Sequence, residues 1–246
     1  MAAVSDPDDS LLFVDSLREY VLEPLISAES LAAREHTELT AERDAFAALR
    51  ERVEAIEPVQ TVTTQSPSWS MPSSGSTACA EVRTAYRETV MAVDHYDEVY
   101  DEPLLQNVTA ELSPDIGGAL DPGSGVQFSP QVKRLVLASV EDCVERRTAL
   151  CEVVERELDA LADQKRALTS LLDELDGCTI PEWYGESFDE ELTAVLSARQ
   201  QHLQHGLQQF EGTEFCSYLY GDEGWTHPVL TAVARLREAV VTDESA

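Results

Sequence analysis

Lysine is nearly missing from this chain. Lys133 and Lys165 are the two present, and the remaining basic residues are arginines. Positive charge is scarce altogether: 17 Lys plus Arg stand against 47 Asp plus Glu, for a formal net charge of −30. No basic patch is available to release counterions from a phosphate backbone, so direct nucleic-acid binding is not expected. Isoleucine is sparse as well, while alanine and leucine abound. No apolar run reaches the roughly 18 residues that would suggest a membrane span. The opening MAAVSDPDDS is acidic and lacks the apolar stretch of a secretory signal. The five cysteines (Cys79, Cys143, Cys151, Cys178, Cys216) are odd in number and contain no C-x-x-C. That argues against a disulfide framework or a zinc ribbon and for a reducing, cytoplasmic setting.

What remains is an acidic chain of 246 residues with an ordinary hydrophobic content of 43%. At about 1 M salt the Debye length falls to about 3 Å, so self-repulsion is largely screened and an acidic surface serves solubility. The composition therefore predicts a halophilic protein. An acidic mimic of nucleic acid is the sharper alternative, and no local feature supports it.

Heptad spacing dominates the pattern. Leu137, Val140, Val144, Arg147, Cys151, Val154, Leu158, Leu161, Lys165, Leu168, Leu172 and Leu175 alternate by three and four. This is the spacing of a stripe that faces a partner helix. Ser129-Pro130 opens that helix and Gly177 closes it. At 1.5 Å per residue, a helix over 129–176 would span about 70 Å. The N-terminal stripe answers it, running from Leu11 through Val21, Leu25, Ala28, Ala32, Glu35, Leu39, Glu42, Phe46, Leu49 and Val53 to Ile56. Pro24 lies inside this stripe and predicts a break or kink near residue 23.

These patterns predict an all-α protein with no β-sheet: a long antiparallel coiled-coil or helical-bundle stalk with a small helical head. The expected organisation is N-terminal heptad helices over 1–57, a disordered Pro/Ser/Thr linker over 58–77, and a helical head over 78–128. The long stalk helix follows at 129–176, and C-terminal helices over 177–246 pack on it. Within the head, one helix starts near Thr77 and ends at Pro103, followed by a short helix to about Leu112 and a turn-rich stretch over 113–128. Ser187 with Glu190 reads as a capping box for a helix running to about Glu211. Thr226-His227-Pro228 opens the last helix. One register sets Glu35 opposite Lys165 and Leu25 near Leu175.

Most chemical motifs are absent. There is no phosphate-binding G-x-x-x-x-G-K-[ST], no G-x-G-x-x-G after a strand, no H-E-x-x-H and no G-x-S-x-G. The Glu-x-x-His pairs of di-iron bundles are missing too. No catalytic residue and no cofactor is assigned. Two constellations remain. In AYRETVMAVDHYDEVYDEPL (85–104), Asp94, Asp97, Glu98 and Asp101 would share one helix face, with His95 beside them. A solvated face is the first reading and a partner-binding face the second. A hard-cation site is the third, with His95, Asp94 and Glu98 as weak metal candidates. The clustered tyrosines favour a packed helix with a wet edge. Tyr86, His95, Tyr96, Glu98 and Tyr100 form the candidate interaction surface. A third class is an enzyme using a pocket built from Tyr86, Arg83, Arg87 and His95, where Arg and His beside a tyrosine could hold an anion, although helix-surface salt bridges explain the arginines as well. The second constellation, His202 with His205, reads as two polar-face histidines, with zinc as the alternative. Cys143 and Cys151 read as small core residues.

The stretch AYRETVMAVDHYDEVYDEPL, with ERDAFAALRERVEAIEP before it and FSPQVKRLVLASVEDCVERRTAL after it, resembles a family of uncharacterised haloarchaeal proteins classed as a domain of unknown function. The resemblance covers roughly residues 25–210 and implies a salt-adapted host. It implies no activity, cofactor or site residue. The functional expectation is a non-enzymatic interaction or scaffold protein, with a protein partner or self-association through the heptad helices. The alternative is a regulatory or sensor protein binding a divalent cation or small ligand at the head.

Overall fold

In a computed structural model, residues 7–59, 74–175, 184–206 and 211–243 are described. All regular structure among them is helical, and no strand occurs. The helices are α1 (Pro7–Ala55), α2 (Ser74–Glu88), α3 (Tyr96–Val99), α4 (Leu104–Glu111), α5 (Pro114–Leu120), α6 (Pro130–Leu175), α7 (Tyr184–Gln201), α8 (Gly212–Tyr220) and α9 (Pro228–Asp243). Most of the expected linker, residues 60–73, lies outside the described residues, as does the loop at 176–183.

The chain divides into two compact units. One is continuous, Thr37–Cys151; the other joins Met1–His36 to Glu152–Ala246. Helices α1 and α6 thus contribute residues to both.

In the continuous unit, α1 and α6 run antiparallel. Arg147 on α6 meets Glu42 on α1 at 2.7 Å, and Arg50 meets Glu141 at 2.6 Å. Lys133 then donates to the carbonyls of Glu54 (2.7 Å) and Ile56 (2.8 Å). Those carbonyls end a helix and have no partner within it, so a lysine ammonium both satisfies them and complements the negative end of the helix dipole. The core gathers Phe46, Leu49 and Val53 from α1, Val82 and Tyr86 from α2, Ile116 and Leu120 from α5, and Val136 and Val140 from α6. Residues 114–120, expected as turn, are helical. Ser113 accepts from the Ile116 amide at 3.2 Å and Pro114 sits in the first turn, a start signal hidden by the surrounding glycines. Gly117 is required there: a Cβ would lie 2.1 Å from Thr109 Oγ1 on α4.

In the other unit, α1 and α6 also pair antiparallel, through Arg18 with Asp173 at 2.6 Å and through Lys165 with Glu29. The expected Glu35–Lys165 register is therefore corrected by six residues along α1. Glu35 instead accepts from Tyr218 on α8. The core joins Leu25 and Ala28 to Leu161, Leu168 and Leu172, closed by Leu192 of α7, Tyr220 of α8 and Val229, Ala232 and Leu236 of α9.

Pro24 does not break α1, contrary to the sequence expectation. Proline removes the amide that would bond the carbonyl four residues earlier, that of Tyr20. Arg235 of α9 fills the gap: its Nη1 donates to the Tyr20 carbonyl at 2.7 Å and to Glu23 at 2.8 Å. Its guanidinium also lies over the Tyr20 ring, 4.6 Å from the centroid. Arg235→Ala is expected to lower stability by about 1 kcal/mol by orphaning that carbonyl. In a Pro24→Ala background, where the new amide supplies the bond, the cost should shrink. A double-mutant cycle by urea denaturation in molar KCl measures this, and equal costs in both backgrounds would reject the compensation.

Two further expectations are corrected. Helix α7 begins at Tyr184, so Ser187 lies inside it rather than capping it. It ends in a π turn at His202–Gly206. The helix expected from Thr77 to Pro103 stops at Glu88 and gives way to a 3₁₀ turn at Val90–Ala92. Thr89 donates its hydroxyl to the Ala85 carbonyl at 2.8 Å, a local side-chain bond of the kind that bends a helix. Asp101, at φ 43°, then turns the chain into Pro103.

Candidate functional site

The break after α2 decides what the 85–104 stretch becomes. Asp94, Asp97, Glu98 and Asp101 do not share one helical face. Asp94 and Glu98 are exposed, whereas Tyr96 is buried. Tyr86 and Tyr96 belong to the interior, so neither can form the surface expected of them. Tyr86 donates to Asn107 Oδ1 at 2.7 Å, and Tyr96 donates to the Glu102 carbonyl at 3.0 Å.

His95 and Tyr100 turn inward onto a carboxylate of α1. Glu42 Oε1 accepts from His95 Nε2 at 3.0 Å and from Tyr100 at 2.7 Å. Its Oε2 accepts from Arg147 Nε at 2.7 Å. The Arg147 guanidinium continues to Glu111 at 3.0 Å and lies 4.5 Å over the Phe46 ring. Burial, the largest influence on Glu42, favours the neutral acid. The bonds from Tyr100 and His95 and the charge of Arg147 outweigh it and hold the pKa below the usual range. Burial, reinforced by Glu42, pushes the Tyr100 phenol up, so it remains a donor. Three donors thus close on an ionised carboxylate.

The second polar cluster lies in the discontinuous unit, and the sequence reading did not find it. Glu157 and Arg199 are both fully buried. Arg199 is bidentate, with Nη1 to Oε2 at 2.8 Å and Nη2 to Oε1 at 2.9 Å. His202 Nε2 donates to Oε2 at 2.7 Å, and Tyr220 donates to Oε1 at 2.7 Å. Four donors meet the two oxygens, which is a carboxylate's full accepting capacity. Burial again opposes the charge most strongly, yet the bonds from His202, Arg199 and Tyr220 carry the Glu157 pKa down to about 2. His205, paired with His202 in the sequence reading, is exposed and donates locally to the Gln201 carbonyl at 3.3 Å.

The signal for Glu157 was present. Val136, Cys143, Glu157, Gln164 and Leu171 are all buried and lie in steps of seven, or a multiple of seven, along α6. They form a second stripe beside the expected one, disguised by its two polar members. Cys79, Cys143, Cys151 and Cys216 are all buried, as expected of small core residues. Among the described residues no group of three His, Cys, Asp or Glu side chains could hold a metal ion, and no helix is long and apolar enough to cross a membrane.

These features define an all-α protein whose polar clusters are built into helix packing. The chain belongs to the family described as "Domain of unknown function (DUF7260)", matched over residues 23–244. Both clusters fall within the matched region. No curated protein and no solved structure matches the chain.

Proposed function

We propose that the chain is a non-enzymatic helical interaction or scaffold protein of the salt-rich cytoplasm of a halophilic cell. The observation that carries this reading is the internal closure of both polar clusters. Glu42 and Glu157 are the buried carboxylates best placed for acid–base work, and protein donors already occupy their oxygens. A general base needs a free lone pair within reach of a substrate proton. The ligand-sensing alternative needs room beside the Glu42 cluster, and the cavity there measures about 10 Å³, the space of one water.

The part of the candidate surface left available is the outer edge of α3, where Glu98 is exposed and Val99 is 54% exposed. A pull-down in molar KCl with wild type beside a Glu98→Lys, Val99→Asp variant tests the reading. A stoichiometric partner retained by wild type and lost by the variant, with helicity unchanged, is the expected result. Light scattering gives the self-association arm. A monomer that captures no partner in either form would reject the proposal.

A further inference from the structure

We infer that the cleft between α6 and α7 binds a small neutral alcohol or phenol, whose hydroxyl donates to His202 Nδ1. This goes beyond the interaction reading and does not depend on it. The two helices are antiparallel here: Glu157 meets Arg199 and His202, whereas Leu172 shares a core with Phe188. Between them lies a cleft of about 560 Å³, a volume in the range of small-molecule sites.

His202 carries the argument. Its ring lines the cleft, and its side chain is 13% exposed. Nε2 is committed to Glu157 at 2.7 Å. Glu157 also accepts two bonds from Arg199 and one from Tyr220, so the carboxylate takes the proton-bearing nitrogen of the ring. In neutral imidazole the other nitrogen, Nδ1, then holds a lone pair. Nδ1 makes no hydrogen bond among the described residues, and it keeps accessible surface. The donors around Glu157 are thus spent on one another, and the acceptor left over is within reach from the cleft. A carboxylate that fixes the tautomer and tilt of a histidine from behind is a common way to aim the far nitrogen at a ligand. The backbone is unusual at the same residue: His202 opens the π turn His202–Gly206, and such turns are frequent at functional sites.

A lone acceptor selects a donor, so an anion gains nothing from Nδ1. An ammonium brings three N–H groups to one acceptor and sets its charge against apolar walls. The carboxylates of Asp163 and Glu191 are exposed at the rim, where molar salt screens them. A hydroxyl brings one donor and no charge. Ala198 lies one turn before His202 on α7, and Ala160 about one turn after Glu157 on α6, so the walls nearest Nδ1 are methyl groups. Val195 and Leu171 continue the apolar wall for the body of the ligand.

The test uses the full chain in molar KCl at about pH 8, where imidazoles are ordinarily neutral, with β-naphthol and its methyl ether as probes. The two share one shape, and the ether has no proton to donate. Equilibrium dialysis should show saturable one-to-one binding of β-naphthol, with the ether weaker by about tenfold. Ala194→Trp fills the cleft from a position outside the Glu157 cluster and should abolish binding of both probes, with helicity checked by circular dichroism. Long-range proton–nitrogen NMR reads the histidine directly. The His202 Nδ1 resonance should move further with β-naphthol than with the ether, whereas a purely structural histidine would not tell the two apart. No saturation up to the solubility limit, equal affinity for the two probes, or binding indifferent to Ala194→Trp overturns the inference. The ether comparison needs no variant, and the α3 pull-down is read separately, so failure here is distinguishable from misfolding and from failure of the interaction reading.

Discussion

Replacing Glu157 with alanine is expected to lower stability by about 3–5 kcal/mol, the cost of leaving a buried charge without its partner. Arg199 is fully buried, and its guanidinium would lose both its bonds to the carboxylate. Tyr220 and His202 would lose their acceptor as well. Removing both charges together, as Glu157→Met with Arg199→Leu, should recover most of the loss, because a buried ion pair is often no more stabilising than apolar packing of similar volume. Urea denaturation in molar KCl gives the free energies. Near-UV circular dichroism of Tyr220 and Trp225, whose rings lie 5.7 Å apart, reports on this unit. If the double variant is as unstable as Glu157→Ala, the unpaired charge is not the cause.

The same residue has a pH signature. Its pKa is lowered from 4.5 to about 2 on folding. A depressed carboxylate contributes stability that is complete above the unfolded pKa and is lost as pH falls through the folded one. The stability difference between wild type and Glu157→Gln should therefore be constant above pH 4.5 and narrow towards about 2. Measuring the difference cancels the titration of the many surface carboxylates. A gap that stays flat across this window would show that Glu157 is not held ionised.

Glu42→Ala is expected to cost about 3 kcal/mol, somewhat less than Glu157→Ala, because Arg147 keeps a second carboxylate and an aromatic face. The substitution strips three donors of one acceptor. Glu111→Ala removes a single bond to Arg147 at a more exposed position, 19% against 11% for the Glu42 side chain, and should cost less. Asp97→Ala, on the exposed edge of α3, should change stability by less than about 0.5 kcal/mol. Thermal melts in molar KCl rank the three. An equal loss for Glu42→Ala and Glu111→Ala would mean that Glu42 does not organise the cluster.

The all-α class was legible because α1 repeats its apolar positions so regularly. Val21, Leu25, Ala28, Ala32, Leu39, Phe46, Leu49, Val53 and Ile56 were all read as seam positions and all are buried. What the sequence hid were compensations made at long range. Pro24 predicted a break because its remedy, Arg235, lies more than 200 residues further on. The register went astray over a choice among charges. Glu35 and Glu42 were both visible in one stripe, Arg147 and Lys165 in the other, and pairing Glu35 with Lys165 left Arg147 facing an apolar position. The structure resolves this by pairing Arg147 with Glu42 and Lys165 with Glu29. The Glu157 cluster was hidden for a different reason. A hydropathy stripe is recognised by its apolar members, and here polar residues hold two of the buried places.

The division of the chain has a consequence for the order of events at the ribosome. Thr37–Cys151 is a continuous unit and can assemble as soon as Cys151 has emerged. The segment before it cannot. Arg18 meets Asp173 across 155 residues, and Arg235 meets Tyr20 across 215. Domains generally fold as units during synthesis, and distant contacts carry a loop-closure cost before they return any stability. The first part of α1 is thus made long before its partners and is the last to find a permanent neighbour. It waits with its leucine and valine face uncovered until α6, α7 and α9 arrive.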